Sequence, residues 1–125
     1  MMQKLALLGL AGALGTLARY AVTGWVHQAT NSLFPWGTVA VNVLGCFLAG
    51  AFWSLAENRL SISGELRTVI LVGFMGGFTT FSAYMLETGN LLRDTQWAPA
   101  LANMAIQNVG GVVVFFLGLA AGRLA

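Results

Sequence analysis

The sequence predicts an all-α integral membrane protein of four transmembrane helices, the third broken near the bilayer midplane. Three observations carry this. Of 125 residues, 58% are hydrophobic and 8% charged, against about 25% charged in a soluble domain. The apolar residues fall into four long runs, and at about 20 residues per crossing residues 1–125 form a single membrane domain with no room for separate chemistry. The third run contains GFMGGFTTFSAY, Gly73 to Tyr84. Its adjacent glycines cost a helix roughly 1 kcal/mol each, and its two β-branched threonines somewhat less.

Charge excludes some classes of function. The net charge of +2 arises from six Lys and Arg set singly along the chain, and nucleic-acid binding needs a basic cluster on one face. Cys46 stands alone in an apolar run, where a small buried hydrophobe is its ordinary role. The N-terminus imitates a signal peptide, but its apolar stretch continues to Val26, longer than an h-region of about 7–15 residues. It is therefore the first span.

Helix 1 is expected over about 5–26. Gly9 and Ala13, Ala11 and Gly15, and Gly12 and Thr16 are each four apart, forming ridges that let helix backbones approach closely in lipid. Arg19 falls inside this span, roughly 10 Å short of its end. It either snorkels to the interface or lines a water-filled vestibule. Phe34-Pro35-Trp36 then anchors helix 2, about 35–56, on which Thr38, Asn42, Gly45 and Ala49 share a face. Asn42 lies about 9 Å deep and needs a partner. That partner is either another helix, in a bond of about 0.6 kcal/mol, or a permeating anion.

A charged loop, with Arg59 in it, leads through Ser63 as N-cap and Glu65 in the first turn to helix 3, about 66–91. The break near 75–80 divides it into halves of about 15 Å, half the hydrocarbon thickness. Unwound backbone at that depth is tolerated only where it is buried in protein or lines a polar cavity. The break therefore predicts an ion site. One half-helix ends there in bare carbonyls and the other begins there in bare N–H groups, which suits a cation and an anion respectively. Phe81, Tyr84 and Thr88 share a face with Thr80 and Glu87, and Glu87 is near enough to the surface to be a solvated vestibule group. Helix 4, about 98–122, carries Asn103, Gln107 and Gly111 on one stripe, as pore wall or as interhelical glue, and a Gly118/Gly122 pair.

Four helices from one chain do not easily enclose a hydrated path, so an oligomer is expected. Lys4, Arg59, Arg67 and Arg123 on one side are weakly opposed by Arg93 and Arg19 on the other, a poor orientation signal. A chain inserted both ways pairs antiparallel about a two-fold axis in the membrane plane.

GGFTTFSAY, the Gly37-Thr38-x-x-x-Asn42 pattern and Ala18-Arg19-Tyr20 together resemble the Fluc/CrcB family of fluoride channels, across all four spans. The resemblance implies an antiparallel, dual-topology homodimer in the inner (plasma) membrane, with two separate pores for passive, selective fluoride export. It implies that Asn42 is the pore amide, Phe81 and Tyr84 the aromatic box, and Arg19 the vestibule arginine. Thr80 and Ser82 would add hydroxyl donors, and Glu87 would share the vestibule. The Gly76 and Thr79 carbonyls of both subunits would hold a structural sodium ion. Two positions depart from the family pattern: Tyr84 stands where Phe is usual, and Gly111 where a hydroxyl residue is usual. No Ser–His–acid set or ligand cluster suggests an enzyme. The alternative is a small four-helix proton-coupled multidrug or guanidinium exporter, which needs an acid deep in a helix; Glu87 is the sole candidate.

Overall fold

A computed structural model describes residues 1–58 and 61–125, so Arg59 of the charged loop lies outside the described residues. Among these residues the regular structure is entirely helical, with no strand. Two unbroken helices, α1 (Met2–Thr30) and α2 (Trp36–Asn58), come first. The third span contains α3 (Gly64–Thr68), a π-helical stretch (Val69–Phe74), α4 (Met75–Phe78) and α5 (Phe81–Arg93). The fourth contains α6 (Trp97–Ala105), a second π-helical stretch (Ile106–Gly110) and α7 (Gly111–Leu124). All four spans are long and apolar enough to cross a membrane.

Local chemistry sets the ends. Asn31 adopts the left-handed conformation (φ 42°) that closes α1. Ser63 accepts the Leu66 N–H at 3.2 Å to start α3. Arg67 lies 5.1 Å from the Trp53 ring centroid and donates to the Ala56 carbonyl at 3.3 Å, tying the third span to the end of α2.

Helix α2 is the centre of the bundle, packing on α1, on the third span and along the length of α7. Of its most apolar 18-residue window 33% is buried, against 6% in α1 and 11% in the fourth span. Glycines permit this closeness. A Cβ at Gly50 would overlap the Phe115 carbonyl, and one at Gly118 the Phe47 carbonyl. Beside a small apolar core that includes Val41, Phe78 and Ala100, polar side chains turn inward and large apolar ones face outward. Thr38, Ser54, Thr80, Thr88 and Asn103 are buried, whereas Leu10, Leu14, Leu17, Val112 and Phe116 are exposed. Lipid tails are as apolar as leucine, so in a bilayer it is the polar groups that gain by turning inward to find partners.

Candidate functional site

The third span is interrupted at two residues. Thr79 (φ −87°, ψ 161°) and Thr80 (φ −150°, ψ 112°) are extended, between α4 and α5. Gly76 and Gly77, which weaken the helix on paper, are helical and belong to α4. Gly77 has a different physical task, because a Cβ there would overlap the Gly12 carbonyl of α1. The threonines tolerate extended backbone as β-branched residues do and cap both flanking helices. Thr79 closes α4, its N–H and hydroxyl both donating to the Met75 carbonyl at 3.0 Å. Thr80 opens α5, its hydroxyl accepting the Ala83 N–H at 3.2 Å.

Asn42 holds the interruption open from α2. Its Oδ1 accepts the Thr80 N–H at 2.7 Å, and its Nδ2 donates back to the Thr80 carbonyl at 3.0 Å. In an unbroken helix that N–H would close onto Gly76 four residues earlier. The Gly76 carbonyl is thus left without its helical donor. Thr79 shares this state, because Ala83, four residues on, donates to the Thr80 hydroxyl instead. The rest of the α2 face serves the same span: Thr38 donates to Glu87 at 2.6 Å, and Gly45 leaves room for the Thr79 methyl.

A second set of bonds runs from Asn42 into the fourth span. Asn42 Nδ2 donates to Gln107 Oε1 (2.6 Å), Gln107 Nε2 to Asn103 Oδ1 (2.8 Å), Asn103 Nδ2 to Thr88 Oγ1 (2.9 Å), and Thr88 Oγ1 to the Tyr84 carbonyl (2.8 Å). Main-chain groups fix both ends. The Thr80 N–H can only donate and the Tyr84 carbonyl can only accept, so every carboxamide between them has one permitted orientation. On this stripe Asn103 is therefore interhelical glue, whereas Gln107 is glue and cavity wall together.

The sequence-predicted residues separate by environment. Tyr84 is buried, with its hydroxyl accepting from Asn108 Nδ2 at 2.8 Å. The departure from Phe thus has a partner in the fourth span. Phe81 meets the Tyr84 ring at 5.6 Å and 64° but is 71% exposed, and Ser82 beside it is exposed. Asn42, Cys46, Thr79, Thr80, Phe81, Tyr84, Gln107 and Asn108 line a cavity of about 220 Å³. A wider cavity of about 640 Å³ brings Arg19 and Glu87 together with Thr38, His27 and Thr80. Thr80 lines both. Glu87 is half-buried, and among the described residues its Oε2 is covered and has no hydrogen-bond partner.

Asn108 is the residue that sequence reasoning misses. On an α-helix it would point about 100° away from Gln107. Both lie in the π-helical stretch Ile106–Gly110, whose i→i+5 winding turns less per residue and lets neighbours face one cavity. The signal available in sequence is two adjacent carboxamides in the middle of an apolar run.

Residues 6–119 match the family described as CrcB-like protein, Camphor Resistance (CrcB). The chain belongs to this family. A CrcB relative from Desulforapulum autotrophicum, named fluoride-specific ion channel FluC, is 52% identical over 124 residues, 99% of each chain. One of the same name from Nitrosococcus oceani is 53% identical over 118 residues, 94% of each chain. Another, from Solidesulfovibrio magneticus, is 48% identical over 124 residues, 99% of each chain. Four apolar spans and CrcB membership make this a multi-pass membrane protein.

Proposed function

We propose that the chain is a passive, fluoride-selective channel of the inner membrane, working as an antiparallel dual-topology homodimer with two pores. The observation that carries the fluoride channel is the likeness, over nearly the whole chain, to relatives named fluoride-specific ion channels. A channel, not an enzyme, is the reading. Fluoride is small and tightly hydrated, so a selective path replaces its water with hydrogen-bond donors. Asn42, Thr80, Ser82 and Tyr84 carry such donors at or beside the 220 Å³ cavity. The positive edge of the Phe81 ring is suited to meet an anion that its face would repel. Arg19 raises the local anion concentration in the wider cavity, and the Thr38 hydroxyl holds one oxygen of Glu87 there.

The dimer and its sodium ion rest on the break. The Gly76 and Thr79 carbonyls lack their helical donors, and unwound carbonyls at a half-helix C-terminus suit a sodium ion. Both would supply main-chain oxygen to the ion, whose charge would neutralise the end of α4. Gly76, Phe81 and Ser82 are exposed on the single chain, where a second copy would cover them.

Proteoliposomes loaded with fluoride and chloride test the reading. Rapid fluoride loss without chloride loss, followed with ion-selective electrodes, is the expected result. Fluoride retention with proton-driven cation uptake would establish the exporter instead. In the same assay Phe81→Ile is expected to slow fluoride loss by about tenfold, the worth of one well-placed ring contact. Phe81 is 71% exposed on the single chain, so the fold of the chain itself should be little affected, and elution from a sizing column at the unsubstituted position checks that assembly is intact. Native-like flux in this variant would remove Phe81 from the path.

A further inference from the structure

We infer that Gln107 is a built-in stand-in for the permeating anion, occupying the Asn42 donor when the pore is empty and so setting the affinity for fluoride. The inference rests on the channel reading. Asn42 Nδ2 has two hydrogens. One is committed to the Thr80 carbonyl, within the reciprocal pairing that holds the interruption open. The other goes to Gln107 Oε1 at 2.6 Å, and both side chains line the 220 Å³ cavity. An anion in that cavity can take an Asn42 hydrogen in only two ways, and only one leaves the break intact. Gln107 is the acceptor it displaces.

The fourth span aims that acceptor. Gln107 Nε2 is held by Asn103 Oδ1 at 2.8 Å, so its oxygen faces Asn42. Asn103 is fully buried, and Thr88 fixes its own orientation by accepting from Nδ2 at 2.9 Å. Asn103 is thus a positioning residue acting through Gln107. The exchange is feasible in energy. A hydrogen bond to an ion is roughly twice as strong as one between neutral groups, so fluoride wins the hydrogen from a neutral carboxamide on arrival. The carboxamide retakes it on departure. No buried N–H is left bare between ions, and the resting cost of the pore stays low.

The test is fluoride efflux from proteoliposomes across a range of internal fluoride concentrations. Gln107→Met keeps the length of the side chain and removes the competing oxygen. The half-saturating fluoride concentration is expected to fall about fivefold, the equivalent of one net amide hydrogen bond. Asn103→Leu, which releases Gln107 from its orientation, is expected to shift it in the same direction. Gln107→Glu places an acceptor there that an anion does not displace, and flux should drop about 100-fold. Damage to the fold alone lowers maximal flux and does not tighten half-saturation. A half-saturating concentration that is unchanged or raised in Gln107→Met and Asn103→Leu, or loss of all flux in both, overturns the inference while the unsubstituted channel conducts. Fluoride retention by the unsubstituted protein overturns the channel reading itself.

Discussion

Asn42→Asp is expected to reduce fluoride flux from proteoliposomes by at least about 100-fold, although the two side chains have nearly the same shape. The Thr80 N–H keeps an acceptor, because it already bonds to Oδ1. On the other side of the carboxamide, two donated bonds become oxygen facing oxygen: one against the Thr80 carbonyl and one against Gln107 Oε1. The ionised carboxylate adds a fixed negative charge to the cavity. For a fluoride ion about 5 Å away, at an effective dielectric constant near 20, the repulsion is about 3 kcal/mol, and that is about 100-fold in rate. Flux with a fluoride electrode is the measurement, on protein that elutes from a sizing column as the unsubstituted protein does. Conduction within a few-fold of the unsubstituted protein would place the anion path away from α2.

The same residue indicates what was legible in the sequence. Four spans could be read because lipid demands long apolar runs, and the run lengths are written directly in the residues. The need for a partner at Asn42 followed from its depth, but its partner did not. Helical rise gives depth, whereas the pairing with Thr80 and Gln107 depends on how three spans are placed around α2. The extended backbone lies at Thr79 and Thr80, two of the four residues to which the sequence reading attributed the break, whereas Gly76 and Gly77 are helical. A glycine in sequence signals equally a weakened helix and a close approach, and Gly77 turns out to serve the approach, against Gly12. The bare carbonyl at Gly76 arises because Asn42 captures the Thr80 N–H, not because glycine unwinds there. Asn108 was missed because a face count at 3.6 residues per turn misplaces residues in a π-helical stretch. Arg19 and Glu87, far apart in the chain, share one cavity through the packing of α1 against the third span.

Gly118→Leu is expected to prevent recovery of folded protein altogether, and the milder Gly118→Ala to lower thermal stability clearly. At this crossing, two main chains meet with no side chain between them. A Cβ at Gly118 would lie 3.0 Å from the Ala51 N and overlap the Phe47 carbonyl. Reciprocally, a Cβ at Gly50 would overlap the Phe115 carbonyl and lie 3.1 Å from the Leu119 N. Flexible side-chain ends can rotate away from an added methyl, but helix backbone can yield only by separating α2 from α7. Separation would undo the packing that gives association in lipid, where no hydrophobic force draws helices together. Overpacking of this kind costs about 1–3 kcal/mol for a small group, and a leucine adds three more carbons to the same contact. Gly9→Ala is the control, because among the described residues a Cβ at Gly9 meets nothing within 4 Å and alanine is worth roughly 1 kcal/mol over glycine in a helix. Melting in detergent, followed by the fluorescence of the four tryptophans, should therefore shift down for Gly118→Ala and stay level or rise for Gly9→Ala. Equal midpoints for the two would mean that α2 and α7 are not in main-chain contact. The polar ladder from Asn42 to Tyr84 would then lack the scaffold that holds the fourth span against it.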